Sequence, residues 1–207
     1  AAYLKQHVEY IEQRKNEYTS ALCFRDPKYS TYTYTFTLKN SADKEFYNKK
    51  VLARDNYQLG YHRALIYREN CYSCNYARKG RISDLTIGDF SGLGRFAPFE
   101  HDRHNVSCVL QNTAKGATLL FELKTALSLY ERPAREAFDV EKQLKAPSVK
   151  HCGRTVFEQV YCETRNYELA CNASLKDEKR KAVKNAIIQK VKVFIYNILV
   201  ILRIKKK

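Results

Sequence analysis

The chain contains no methionine and no tryptophan, and only 7 glycines and 4 prolines among its 207 residues. So little Gly and Pro excludes collagen-like and low-complexity classes. Its 7 cysteines are too sparse for a small secreted scaffold held by disulfides, and the odd number leaves one unpaired. That usage points to a reducing, cytoplasmic compartment. No basic-then-apolar leader opens the chain. It begins instead in helix-like sequence, Tyr3-Leu4-Lys5-Gln6-His7-Val8, and reads as the C-terminal part of a longer protein. Long apolar runs are absent too: the richest, Val193 to Leu202, is interrupted by Asn197 and falls short of the ~18–20 residues of a spanning helix.

Acidic charge is the other scarcity. Asp and Glu number 22 against 37 Lys and Arg, a net of +15. Lys176–Lys207 alone carries eleven Lys and Arg against Asp177 and Glu178, a net of +9, which leaves +6 for the body. In that tail Ala182, Val183, Ala186, Ile187, Val191, Phe194, Ile195, Ile198 and Leu202 recur at a helical period. The result is a basic amphipathic helix. It either packs on the body with its lysines in water or lies on an anionic membrane surface, at the inner face of the membrane.

Apolar material is plentiful, 44% of residues with 16 Tyr and 10 Phe, enough for a packed core. Leu4, Val8 and Ile11 predict a first helix. Thr19–Phe24, Thr31–Leu38 and Glu45–Val51 alternate as strands, followed by a short helix over Asp55–Ile66 capped by Asp55. Leu85–Ile87 and Val106–Gln111 read as buried strands, Asn112–Gly116 as a turn, and Ala117–Leu129 as a helix. Helices resume beyond Pro133, with one around Thr155–Ala170. The fold class is α/β or α+β, a mixed sheet flanked by helices, with residues 1–150 as the body and 151–207 as a helical extension.

Cys71-Tyr72-Ser73-Cys74 is the only close cysteine pair. A C-x-x-C turn aims two thiolates at one metal or cluster, yet it does not name the metal. Zinc, a redox-active pair and two structural thiols all remain open. No second pair supports a zinc ribbon, and His101 and His104 stand closer together than the usual zinc-finger histidines. Downstream, Leu85-Thr86-Ile87 enters a Gly-punctuated loop carrying Asp89, where glycine permits close backbone approach. No Ser-His-Asp or Cys-His hydrolase pattern is present.

Three motifs in order, Arg68-x-x-Cys71-Tyr72-x-Cys74, Arg81-x-x-Asp84-Leu85-Thr86-Ile87-Gly88-Asp89-Phe90-x-Gly92 and Ser107-x-Val109-Leu110-x-Asn112-Thr113-x-Lys115-Gly116, resemble the C-terminal domain of the coenzyme F-420 hydrogenase/dehydrogenase beta subunit family. The resemblance extends over Phe24-Arg25-Asp26, Tyr57 and Glu131-Arg132-Pro133, about residues 1–160. Ser91 stands where that family usually has Trp. The resemblance implies an iron–sulfur flavoprotein oxidoreductase. Its FAD and 4Fe-4S cluster would pass electrons between a redox partner protein or subunit and a deazaflavin (coenzyme F-420) or other small-molecule acceptor. Many bacterial relatives look like parts of surface-polysaccharide pathways.

In this chain Cys71 and Cys74 would ligate the cluster, with further ligands upstream. Lys115, Gly116 and Thr113 would meet the pyrophosphate of FAD at a helix start. Arg68 and Arg81 would face phosphate or the reduced flavin, and Asp84, Asp89 and Gly92 would complete the cofactor-binding set. The competing reading is a non-enzymatic basic module for nucleic acid or an anionic membrane surface, or an inactive relative. Nucleic acid is disfavoured because the basic excess sits in the last helix and is not interleaved with the Tyr-rich strand.

Overall fold

A computed structural model describes residues 2–29, 35–50, 55–103 and 106–201, apart from the side chains of 182, 186, 189 and 199–201. The expected strand residues Thr31–Tyr34 and Val51, and Leu202 of the terminal stripe, lie outside the described residues. The fold is mixed helix and sheet, as expected, and the described strands form a three-stranded and a two-stranded antiparallel sheet. The chain divides into two compact units, one of residues 1–66 with 151–207, the other of residues 67–150. The helical stretch read as an extension of a 1–150 body thus groups with the first 66 residues.

In the first unit, helix α1 (Ala2–Lys15) precedes strands β1 (Ala21–Cys23), β2 (Thr35–Lys39) and β3 (Glu45–Lys50), which pair in sequence order. Thr35 to Leu38 of the central strand are all buried, so both faces of β2 are covered. Leu4, Val8 and Ile11 of α1 pack with Phe36 and Leu38, as their three- and four-residue spacing dictates. Helix α2 (Asn56–His62) starts where the sequence placed its cap: the Asp55 carboxylate accepts the Gln58 N–H at 2.8 Å.

The helix expected over Thr155–Ala170 is in fact two. α6 (Arg154–Thr164) ends at Arg165, in the left-handed region at φ 53°, and α7 (Tyr167–Ser174) begins behind Asn166, whose side chain accepts the Leu169 N–H. An apolar period runs through both helices, so only the Asn cap signalled the break. Tyr3 packs against Phe157, Tyr161 and Tyr167 with ring centroids 5.0 to 5.4 Å apart, beside Leu59, Leu65 and Cys171. α8 (Lys176–Ile201) follows, its first turn fixed by a 2.9 Å contact between Glu178 and His151. No described helix is long and apolar enough to cross a membrane.

The second unit contains helix α3 (Glu69–Tyr72), strands β4 (Leu85–Asp89) and β5 (Ser107–Gln111), helix α4 (Ala114–Glu122) and helix α5 (Arg135–Phe138). β4 is not the buried strand expected: Ile87 is 68% exposed, because a two-stranded sheet leaves one face without a covering layer. α4 also starts three residues early. Thr113 accepts the Gly116 N–H, so the segment expected as a turn is a helix cap and first turn. It ends at Glu122, and a 3-10 turn over Leu123–Thr125 follows.

The first unit is organised around a buried cation. His7 on α1 is 3% exposed, with Nε2 2.8 Å from Asp55 and Nδ1 2.5 Å from Glu168. Tyr47 donates its hydroxyl hydrogen to Asp55 at 2.7 Å and Asn56 its amide to Glu168 at 2.5 Å. Burial works against a charged imidazole, but the hydrogen bonds and charges of the two carboxylates prevail and raise its pKa to about 9. A folded value above the ordinary 6.5 gives stability that is complete below pH 6.5 and lost as pH rises through about 9. The shift corresponds to on the order of 3 kcal/mol. His7→Gln should therefore lower stability at pH 7 by about 3 kcal/mol, leaving two buried carboxylates without their cation. The variant should also lose the wild-type decline between pH 6.5 and 9, as read by urea denaturation at a series of pH values. Parallel pH profiles for the two proteins would show His7 to be uncharged in the fold.

Candidate functional site

The second and third sequence motifs meet at the junction of β4, β5 and α4. Strand pairing sets Asp89 opposite Ser107 and Gly88 opposite Cys108, which brings the second and third motifs side by side. Asn112, just past β5, donates its backbone N–H to the Asp84 carbonyl at 2.9 Å and its side-chain amide to Ser83 and Thr86. Thr113 then bridges: its hydroxyl donates to the Asp84 carboxylate at 2.5 Å and accepts from Gly116 N–H at 3.2 Å. Lys115 lies 3.7 Å from the other Asp84 oxygen and is 85% exposed at its side chain. Asp84, Thr113, Lys115 and Gly116 are thus one constellation.

Two glycines of the set are needed for contacts within the chain. A Cβ on Gly116 would lie 2.4 Å from the Asp84 carbonyl oxygen, and one on Gly92 would lie 1.8 Å from that of Glu136. Both mark backbone meeting backbone. Gly88, by contrast, faces open space.

The arginines sit elsewhere. Arg81 does not pair with Asp84; its guanidinium donates to the Tyr76 carbonyl at 2.6 Å and the Gln143 carbonyl at 3.1 Å. Its buried Nε lacks a partner among the described residues. Arg78 is likewise turned to the carbonyl of Gly80. Arg68 is exposed at the start of α3, and its carbonyl accepts the Cys71 N–H. Asp89 is exposed at the end of β4, and the Ser91 N–H donates to Glu141. Cys71 and Cys74 are half-buried free thiols.

The most organised feature of this unit was not foreseen. Glu136, fully buried, accepts two hydrogen bonds from Arg132, at 2.9 and 2.8 Å, and the N–H groups of Phe96 and Ala97, each at 3.2 Å. Arg132 also donates to the carbonyls of Ala97 and Pro98. The Arg132 guanidinium, then the loop amides, outweigh burial and hold the Glu136 carboxyl down at about 2. Part of the signal was available: Arg132 and Glu136 stand four apart in sequence, although Arg132 precedes α5 and is not helical.

Beside this pair lies a cavity of about 330 Å³. Phe90, Phe99, Cys108, Leu110, Tyr130 and Arg132 are among its walls. Burial pushes the Cys108 thiol pKa up, with Glu141 adding to the effect. The volume lies at the small end for ligand sites, and mostly apolar walls, with Glu131 and Arg132 as the charged members, suit a planar organic group such as a flavin ring. A cluster fits less well. Among the described residues no three His, Cys, Asp or Glu side chains gather where they could hold a metal ion. Cys71 and Cys74 are two thiolates where a four-iron cluster takes four.

Two expectations follow. Gly92→Ala should destabilise the second unit by about 1–3 kcal/mol through overpacking, while Gly88→Ala should change little, as measured by denaturant melts. Glu136 stabilises its loop fully above the ordinary 4.5, and this is lost as pH falls through about 2. Glu136→Gln should therefore open residues 95–99 to limited proteolysis at neutral pH, and wild-type protein should stay resistant down to about pH 4.

No curated protein and no solved structure matches the chain. One family does: the profile for the C terminus of the coenzyme F420 hydrogenase/dehydrogenase beta subunit matches residues 6–137. That span takes in both units and all three motifs, and more than half the chain. The chain belongs to this family of oxidoreductase subunits, as the order of its motifs implied.

Proposed function

We propose that the chain is the C-terminal part of a flavin-dependent, iron–sulfur-linked redox subunit that passes electrons between a partner subunit and a deazaflavin or other small acceptor. The observation that carries this reading is the make-up of the cavity. Phe90 comes from the second family motif, Ser107, Val109 and Leu110 from the third, and Arg132 and Pro133 from the Glu131-Arg132-Pro133 stretch. Segments matched by the family profile therefore converge on one apolar chamber with a cation in its wall.

In this reading the chamber shields a planar ring from water, and the Arg132 guanidinium, itself paired with Glu136, forms part of its wall. Lys115, exposed at the N-terminal turn of α4, serves a phosphate group, with Asp84 holding the lysine in place between encounters. FAD when bound supplies the hydride and one-electron chemistry; the chain contributes position and electrostatics. Cys71 and Cys74 serve as two thiolate ligands of the cluster, the others coming from outside the described residues. Ser91, exposed where the family usually has Trp, leaves that position without a ring to stack on a ligand.

The test is an anaerobic absorbance spectrum of the full-length protein with iron and flavin quantified. A flavin band with a reducible iron–sulfur shoulder is expected. Cys71→Ser with Cys74→Ser should remove the iron and spare the flavin. Leu129→Trp, which enlarges a partly exposed wall residue of the cavity, should weaken flavin binding at least about tenfold and spare the iron. A protein still colourless and iron-free after reconstitution would sink the redox reading in favour of a binding role on the same fold.

A further inference from the structure

Helix α8 leaves a broad apolar face uncovered. Ile187, Ile188, Val191, Phe194, Ile195 and Ile198 are 38 to 66% exposed, although such side chains are normally the first to be buried. At about 100° per residue, these six fall within one stripe about 120° wide, with the exposed Val193 and Tyr196 outside it. Lys190 and Lys192 stand about 40° beyond its two edges, one on each side, and Lys184 lies on the stripe one turn before it begins. Both lysines are thus placed to run their stems along apolar material and keep their charge at its border.

Charge decides what covers this face. From Lys179 to Lys207 the sequence has ten Lys and Arg and no Asp or Glu. A second copy of the helix would bring the same seam of isoleucines but no carboxylate to meet the flanking lysines, so lysine would face lysine. An anionic lipid surface offers what the helix lacks, an apolar layer bordered by negative charge. The apolar stretch Ile187–Ile198 is about 18 Å long, too short to cross the ~30 Å hydrocarbon core. The helix is held at its other end, where Glu178 contacts His151 and Lys179 donates its N–H to Leu175. We propose that residues 187–198 are the docking surface of this protein for an anionic membrane, lying in its interface.

Co-sedimentation with extruded vesicles tests this directly. The protein should bind vesicles of equal phosphatidylcholine and phosphatidylglycerol at least about tenfold more tightly than vesicles of phosphatidylcholine alone, and high salt should weaken the binding. Ile187→Ser, Phe194→Ser and Ile198→Ser together should abolish binding with the melting temperature unchanged, because these side chains are already in water. Lys190→Gln with Lys192→Gln should weaken binding to the anionic vesicles alone. Equal binding to both vesicle types, or none, would overturn the proposal. So would a dimer by light scattering that the triple serine variant turns into a monomer, which would assign the stripe to a second copy of the chain.

Discussion

A carboxylate sealed from water must have its charge met on every side, and Glu136 obtains this from Arg132 and two loop amides. Residues 96–98 are thereby tied to the helical stretch around α5, and Gly92 is drawn so close that its Cα has no room for a side chain. Phe90, on one side of that glycine, and Phe99, beyond the tied amides, are then delivered to the same cavity. The ion pair thus helps to place both rings of the chamber's wall.

The first unit solves the same problem with the charges reversed. There the buried ion is a histidine, and the two carboxylates that neutralise it come from the cap of α2 and the first turn of α7. The pair therefore ties three helices together through one imidazole. A hydrophobic core tolerates volume-conserving substitutions. An ionic centre does not, because removing one member strands the others.

Local signals were legible in the sequence and closures across it were not. Asp55 announced itself as a cap because the rule that makes it one operates over three residues. Thr113 obeys the same rule, but Asn112 and Gly116 around it look equally like a turn, and only the fold chooses. The role of His7 needs a partner 161 residues away, which no periodicity encodes. Gly92 and Gly116 illustrate a subtler limit: a glycine in a motif says that something comes close, and here what comes close is the chain's own carbonyl. Arg81 was read by charge, whereas its terminal nitrogens bond to backbone carbonyls brought near by the loops.

The first unit is made of two stretches of chain with the second unit between them. Ribosomal synthesis therefore delivers His7 long before Glu168. At about 5–20 residues per second, the 161 residues between them represent a delay on the order of 10 s. Until α7 emerges, the imidazole has Asp55 as its counter-charge only once that residue has been made, and Tyr3 lacks the Tyr167 ring against which it packs. The intervening residues 67–150 emerge within the same window, and both the Glu136–Arg132 pair and the β4–β5 ladder lie inside their span. Helix α1 has its sheet partners Phe36 and Leu38 early, but the carboxylate that completes the His7 centre arrives only with α7.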